Sequence, residues 1–211
     1  NSTFLNWVHG VNHAEGVTRS KISKVSGTAG LHIGGIIGNV DGNAIFDGVV
    51  NYADIYNWVD GDRTGTKSTR NVAKQVGGVI GEVDGAAYFG YVADTATTDS
   101  RTIGKAVVNY GDVYSGTFQH DNTQYVGGVI AYPAGGGYIA NCLNEGSVTV
   151  PEHSGGTGGV GGIVGVAPSE NKTLNVIGCV NNGDISAIEN ADNWGVAGIV
   201  GRAFHGTLVI D

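Results

Sequence analysis

The sequence predicts an all-β fold, a parallel β-solenoid (β-helix) built from repeats of about 35 residues. Glycine supplies 38 of the 211 residues, and each glycine in a helix interior costs roughly 1 kcal/mol relative to alanine. A box of glycines and β-branched residues recurs five times, and a second box with a central asparagine recurs between its copies. The apolar segments are short and bounded by Gly, Asn or Asp, which is typical of strands and turns.

The composition excludes several classes of protein. A hydrophobic fraction of 41% argues against intrinsic disorder, and a total of 3 prolines argues against a collagen-like chain. The 11 basic residues face 19 acidic ones, the net charge is −8 and no basic run occurs, so we expect no nucleic-acid partner. No apolar run approaches the roughly 20 residues that span a bilayer, so we expect no transmembrane segment.

The glycine box explains how repeats would pack. Its copies are GGIIG at 34–38, GGVIG at 77–81, GGVIA at 127–131, GGIVG at 161–165 and AGIVG at 197–201. Stacked about 4.8 Å apart, equivalent strands would place their β-branched residues in buried columns. The glycines remove Cβ atoms where the chain bends or packs closely. A phosphate-binding loop is disfavoured, because no helix signal follows the box.

The asparagine box predicts a polar ladder inside the stack. Its copies are VVNYADI at 49–55, VVNYGDV at 107–113, CLNEGSV at 142–148 and CVNNGDI at 179–185. We expect their side-chain amides to bond along the stack or to turn backbone, in a structural column of Asn51, Asn109, Asn144 and Asn181. A glycine follows two residues later in three copies, and we expect it to adopt positive φ: Gly111, Gly146 and Gly183.

The repeat also defines the domain organisation. Residues 1–211 are predicted to be one repeat domain, with units at about 34–76, 77–126, 127–160 and 161–196 and partial units at 1–33 and 197–211. Two units carry loop insertions, about nine residues within 56–75 and about fifteen within 93–107. We expect one coil of about three strands per unit. Two coils per unit are the alternative, because the asparagine box follows the glycine box by 17 residues in two units.

The chain begins and ends at similar positions within the repeat. FLN at 4–6 is interpreted as the equivalent of IFD at 45–47, and LVI at 208–210 lies at the corresponding place in the last unit. An open terminal coil exposes strand edges and apolar core. We therefore expect the ends to be covered by the rest of a longer chain or by end-to-end assembly.

Two segments resemble a known bacterial repeat. Residues 127–150 and 161–187 are similar to the GLUG repeat, and Asn141, Cys142 and Asn144 carry the resemblance together with Gly146 and Val148. The resemblance covers most of residues 34–201. It implies a β-solenoid of a secreted or cell-surface bacterial protein, such as an adhesin or the non-catalytic region of an IgA-cleaving peptidase. It implies no catalytic residues.

Catalytic and metal-binding signals are sparse. The six histidines are scattered without a His-Glu-x-x-His motif, and no Gly-x-Ser-x-Gly elbow occurs, so we expect no enzyme activity and no organic cofactor. Asp41 and Asp84 each follow their glycine box at the same distance and precede a glycine. Such Asp-Gly pairs are typical of tight turns, and a Ca²⁺ site is the second interpretation. Asp60 and Asp62 in the first insertion form another candidate Ca²⁺ loop.

The two cysteines occupy the same register in neighbouring repeats. If the repeats stack directly, the Cα atoms of Cys142 and Cys179 lie about 4.8 Å apart, within the range of a disulfide. Side chains in parallel register rarely reach the dihedral angle that a disulfide requires. We therefore favour a buried pair of free thiols over a disulfide.

Aromatic residues provide the ligand hypothesis. Tyr52 aligns with Tyr110, and Tyr56 aligns with Tyr114, while Trp58 lies just beyond in the first insertion. An outward row of rings could stack on sugar rings. We favour the other interpretation, in which the rings stack on one another and stabilise the solenoid.

These observations predict a non-catalytic structural and interaction module. We expect it to belong to a secreted or cell-surface bacterial protein, with a role in adhesion and with a host or bacterial surface glycan or protein as partner. The alternative is a carbohydrate-binding or carbohydrate-active β-helix protein.

Overall fold

The computed structural model describes residues 5–11, 21–23, 32–57, 74–93, 101–115, 124–150, 158–169, 171–187 and 194–211. Throughout these ranges the regular structure is β-strand, and equivalent segments of successive repeats pair in parallel. The predicted parallel β-solenoid is therefore confirmed. No helix long and apolar enough to cross a membrane is present in the same ranges.

Each repeat forms one coil. Gly34 pairs with Gly77, Gly77 with Gly127, and Gly127 with Gly161, so each glycine box lies beside the next one. The alternative of two coils per repeat is wrong, because the glycine boxes stack on one another and not on the asparagine boxes.

Each coil passes through five strand ladders, which belong to four sheets. The first ladder of sheet 1 contains β1 (Leu5–Val11), β5 (Asn43–Asn51), β9 (Ala87–Phe89), β16 (Gly137–Ala140), β21 (Thr173–Ile177) and β26 (Thr207–Ile210). The second ladder of sheet 1 joins the ends of β1 and β5 to β12 (Val107–Asn109), β17 (Cys142–Asn144) and β22 (Val180–Asn181).

The other three sheets follow in chain order. Sheet 2 contains β2 (Lys21–Ser23), β6 (Asp54–Asn57), β13 (Val113–Ser115), β18 (Val148–Val150) and β23 (Ile185–Ala187). Sheet 3 contains β3 (His32–Gly34), β7 (Gln75–Gly77), β14 (Gln124–Gly127), β19 (Gly158–Gly161) and β24 (Trp194–Ala197). Sheet 4 contains β4 (Ile37–Val40), β8 (Ile80–Val83), β15 (Ile130–Pro133), β20 (Val164–Val166) and β25 (Val200–Arg202).

The expected three strands per coil become five because two of the sequence boxes contain a bend. The glycine box ends a strand of sheet 3 and begins a strand of sheet 4. The asparagine box likewise divides between sheets 1 and 2. A further corner separates the two ladders of sheet 1, and its residues have φ between 50° and 65°: Gly48, Gly90, Asn141 and Gly178. Glycine and asparagine tolerate this left-handed conformation best.

Two cores fill the coil on either side of a narrow waist. Sheets 1 and 4 enclose the larger core, which includes Phe46 and Phe89, stacked with 4.4 Å between ring centroids. Sheets 2 and 3 enclose the smaller core around Ile55 and Val126. At the waist the second glycine of each box abuts an asparagine side chain where a Cβ would lie, in the pairs Gly35–Asn51, Gly78–Asn109, Gly128–Asn144 and Gly162–Asn181.

Two local predictions are wrong. None of the three glycines that follow the asparagines has positive φ. They are required instead because a Cβ would strike a backbone oxygen of the preceding coil, as at Gly111 against Ala53. The FLN alignment is also shifted, because Trp7 and Val8 pair with Ile45 and Phe46.

The insertions leave the coil at two corners. The first lies between β6 and β7, and residues 58–73 within it are outside the described ranges. The second begins directly after Gly90 and is closed at its base by the antiparallel pair β10 (Tyr91–Ala93) and β11 (Arg101–Ile103). It therefore begins before the predicted residue 93. Lys105 has already rejoined the coil, since its backbone N–H donates to Asp47 Oδ1 at 2.6 Å.

Candidate functional site

The outer faces of sheets 3 and 4 meet each other on one side of the solenoid, and we call this contact the seam. The glycine box makes the chain turn back sharply, and small residues let the two sheets approach. A Cβ on Gly81 would meet the side chain of His32, and a Cβ on Gly159 would meet the side chain of Val166. The seam comprises His32, Asn39, Gln75, Glu82, Asp84, Tyr125, Tyr132, Gly159, Val166, Gly195, Arg202 and Phe204.

The two columns of the seam change residue type from coil to coil. In sheet 3 one outward column contains His32, Gln75, Tyr125, Gly159 and Gly195. In sheet 4 the facing column contains Asn39, Glu82, Tyr132, Val166 and Arg202.

An acidic and histidine cluster occupies the seam in the first two coils. His32 Nδ1 lies 2.7 Å from Glu82 Oε2, and Glu82 is only 8% exposed. Burial, followed by the charge of Asp84 and a hydrogen bond with its side chain, raises the pKa of Glu82 to about 7. Burial lowers the pKa of His32, against the opposing charges of Asp84 and Asp41. Near neutral pH the Glu82 carboxyl can therefore both donate and accept a proton.

An aromatic cluster continues the seam in later coils. The ring of Tyr125 lies 4.8 Å from that of Tyr132 at a tilt of 51°, and 6.3 Å from Phe204 edge-on. The guanidinium of Arg202 covers Phe204 at 4.6 Å from the ring centroid. Burial, with smaller contributions from Tyr132 and Glu82, raises the pKa of Tyr125 to about 12 against the effect of Arg202. Tyr125 is therefore a neutral hydroxyl group at physiological pH.

The asparagine column forms a continuous ladder at the waist, buried at Asn51, Asn109 and Asn144 and partly buried at Asn181. Each amide nitrogen donates to a carbonyl oxygen of its own turn, as Asn144 does to Gly146 at 2.7 Å. Three of the amides also donate to the Oδ1 of the next asparagine, in the order Asn51 to Asn109 (2.6 Å), Asn109 to Asn144 (2.8 Å) and Asn144 to Asn181 (2.7 Å). These contacts give the column the architecture that the sequence predicts.

The tyrosine columns stack ring on ring. Tyr52 and Tyr110 lie 4.7 Å apart with planes within 10°, and Tyr56 and Tyr114 lie 5.7 Å apart. Stacked rings cover each other's faces, which are the surfaces that a sugar ring would need. This geometry favours a stabilising role. Trp58 lies outside the described residues.

The Asp-Gly pairs form turns that stack in register. Val40 pairs with Val83, so Asp41 and Asp84 follow at equivalent positions, and Gly42 has a φ of 92°. Asp41 accepts a hydrogen bond from Asn39 Nδ2 at 3.0 Å. Within the described ranges, no three His, Cys, Asp or Glu side chains are grouped as metal ligands. The other two Ca²⁺ candidates, Asp60 and Asp62, lie outside the described residues.

Sequence reasoning missed the seam, along with a third tyrosine stack. His32, Glu82, Tyr125, Tyr132 and Arg202 are not repeated, so no recurring motif marks them. The signal that could have marked them is a change of residue type between repeats, at positions beside the glycine box. The third stack pairs Tyr88 with Tyr138 at 6.3 Å, and their shared register was visible in the sequence.

Comparison of the chain with protein families, curated proteins and solved structures found no match. Any functional role for the seam must therefore be inferred from the chemistry of its own residues.

Proposed function

We propose that the chain is a non-catalytic interaction module of a secreted or cell-surface bacterial protein, in which the solenoid is the scaffold and the seam is the contact surface. One observation carries the proposal: the seam brings histidine, carboxyl, tyrosine and arginine side chains from different coils together between sheets 3 and 4. The resemblance of residues 127–150 to GLUG repeats supports a surface location and a role in adhesion.

The chemistry of the seam suits a surface glycan or protein as partner. It combines tyrosine hydroxyls, a carboxyl group that can donate or accept, and a cation at Arg202. Hydrogen-bonding groups beside aromatic rings are typical of binding surfaces that are partly apolar and partly wet.

A matched pair of tyrosines tests the proposal. Tyr132 lies in the seam, and Tyr138 lies in the repeated stack on sheet 1. We expect Tyr132→Ala to abolish binding on glycan arrays and to host or bacterial cells, while Tyr138→Ala retains it. Equal binding by both variants would show that the seam is not the contact surface. The absence of any binding by the wild-type chain would contradict the interaction function itself.

A carbohydrate-active β-helix is the second candidate, and the neighbouring carboxyls of Glu82 and Asp84 favour it. A carboxyl with a pKa of about 7 is suited to general acid catalysis at neutral pH. The test is release of reducing or unsaturated ends from neutral and acidic polysaccharides. Activity that Glu82→Gln abolishes would support this candidate, and inactivity on all of them would leave the binding module.

We also propose end-to-end assembly, in which a second copy of the chain covers the edge of the last coil. The described strands of the last coil expose large apolar residues by 43–57%, namely Val180, Val196, Val209 and Ile210. Sedimentation over a range of protein concentrations tests the assembly. Association that Val196→Lys disrupts would support it, and a monomer at high concentration would contradict end-to-end assembly.

A further inference from the structure

The two cysteines lie next to each other in neighbouring coils. Leu143 pairs with Val180, so the preceding residues, Cys142 and Cys179, occupy equivalent positions. Neighbouring strands of a sheet are about 4.8 Å apart, and disulfides join Cα atoms separated by about 4.4–6.8 Å. The separation therefore permits a bond, but the two side chains must rotate to reach the dihedral angle that parallel register disfavours. Both side chains pack against the core between sheets 1 and 4, and both are free thiols.

The surroundings of the two thiols are unequal. Cys142 is 1% exposed, whereas Cys179 is only partly buried. Cys179 Sγ lies 3.2 Å from the carbonyl oxygen of Ile139, in the coil of Cys142. The contact with Cys142 lowers the pKa of Cys179 against the effect of burial, while burial and the contact with Cys179 raise the pKa of Cys142.

We propose that Cys142 and Cys179 form a thiol–disulfide exchange site, at which Cys179 reacts first with a small-molecule disulfide and Cys142 then closes a bond between the two coils. The order follows from access, because Cys179 is only partly buried whereas Cys142 is 1% exposed. The inference stands apart from the seam, and it applies to the chain whose last-coil edge is uncovered, because Cys179 adjoins Val180 at that edge.

The chemistry balances with one external disulfide, such as oxidised glutathione. The Cys179 thiolate attacks one sulfur of the reagent, forms a mixed disulfide and releases one glutathione thiolate. Cys142 then loses its proton and attacks the Cys179 sulfur, which releases the second glutathione. Two protein thiols are oxidised, the reagent is reduced to two thiols, and the two protein protons end on those thiols.

Closure of the bond would tie two successive coils together. The link joins residues 142 and 179, and cross-linking a loop of this kind restricts the unfolded chain. The oxidised protein should therefore melt at a higher temperature than the reduced protein, and a reductant should reverse the change.

The test is incubation of the folded 1–211 chain with oxidised glutathione, followed by intact mass and thiol titration. We expect the wild type to lose both free thiols and two hydrogens in mass, with no glutathione retained. Cys142→Ala should keep one glutathione on Cys179, because no second thiol can displace it. Cys179→Ala should keep its single thiol unmodified while folded.

Three results would overturn the inference. The first is a wild-type protein that retains glutathione, which would show that the bond cannot close. The second is a Cys179→Ala protein that reacts as readily as Cys142→Ala, and the third is a folded wild type that does not react. Circular dichroism shows whether each variant folds. If one does not, the folded wild type is alkylated for increasing times and the modified cysteines are identified by peptide mapping. We then expect Cys179 to be modified before Cys142.

Discussion

The asparagine ladder and the seam lie on opposite sides of the same glycine bend, yet they satisfy buried polar groups in opposite ways. Asn51, Asn109 and Asn144 are fully buried, and each amide bonds to the next residue of its own kind. Glu82 is nearly as buried, but its neighbours are a histidine and a second carboxyl.

The difference shows which chemistry can be repeated. An amide has both donors and acceptors, so identical amides stacked one coil apart bond to each other. Buried carboxylates at the same spacing would repel one another strongly. A buried column with charged members must therefore change from coil to coil, so the irregularity of the seam is a physical requirement of its chemistry.

Substitution at the waist should have the largest effect, because it disturbs both regions. In Gly78→Ala the new Cβ would meet a backbone oxygen of Gly128 and the amide of Asn109. We expect a loss of more than about 3 kcal/mol in unfolding free energy, measured by urea denaturation. Gly198→Ala is the matched control, because no atom lies within 4 Å of its Cβ position. Equal losses in both variants would contradict the close packing of the waist.

Breaking the ladder should have the next largest effect. Asn144→Ala removes the donors to Gly146 and Asn181 and the acceptor for Asn109. Each buried group left unpaired costs about 1–3 kcal/mol, so we expect a loss of about 3 kcal/mol in urea denaturation. Asn175→Ala is the control, because Asn175 is only partly buried and makes one long bond of 3.3 Å to Gly137. Wild-type stability of Asn144→Ala would mean that the ladder contributes nothing.

The seam should show a pH dependence that the ladder lacks. The pKa of Glu82 rises from 4.5 to about 7 on folding, so the stabilisation from its protonated form is complete below about 4.5 and is lost as the pH rises through about 7. Glu82→Gln places an uncharged side chain of similar shape at this position at every pH. Its unfolding free energy relative to the wild type should therefore increase between pH 5 and pH 8, on the order of 2 kcal/mol.

A comparison at matched pH isolates this effect from that of His32. The lowered pKa of His32 acts in the opposite direction, since the folded protein loses stability as the pH falls below 6.5. Because His32 and Glu82 are in contact, their titrations are coupled, so the two proteins are compared in a shared His32→Gln background. A difference that stays constant from pH 5 to pH 8 would show that Glu82 is not held protonated by the fold.

The smallest effect is expected in the tyrosine stacks. Tyr52→Ala removes one parallel ring pair with Tyr110, and such pairs contribute about 0.5–1.5 kcal/mol beyond area burial. We expect a loss of about 1 kcal/mol in thermal or urea unfolding and no change in ligand binding. Loss of glycan binding without loss of stability would reverse the assignment and make this column the contact surface.

Most of the fold could be predicted because the same two boxes recur along the sequence. Five glycine boxes and four asparagine boxes specify the coil, its parallel stacking and the position of the ladder. The predictions were wrong where one short motif contributes residues to two strands. The bend within the glycine box and the positive φ at Asn141 follow from close backbone approach, which spacing alone does not reveal.

Some features of the candidate site could likewise be predicted from the sequence, and others could not. By itself the sequence determined the repeated columns of Asn51, Tyr52 and Cys142, because equivalent positions in a regular stack become neighbours whatever the details of the bend. Only the tertiary structure brought His32 to Glu82 and Tyr125 to Tyr132. Those contacts cross from sheet 3 to sheet 4, and they depend on how tightly the glycine box folds one sheet back onto the other.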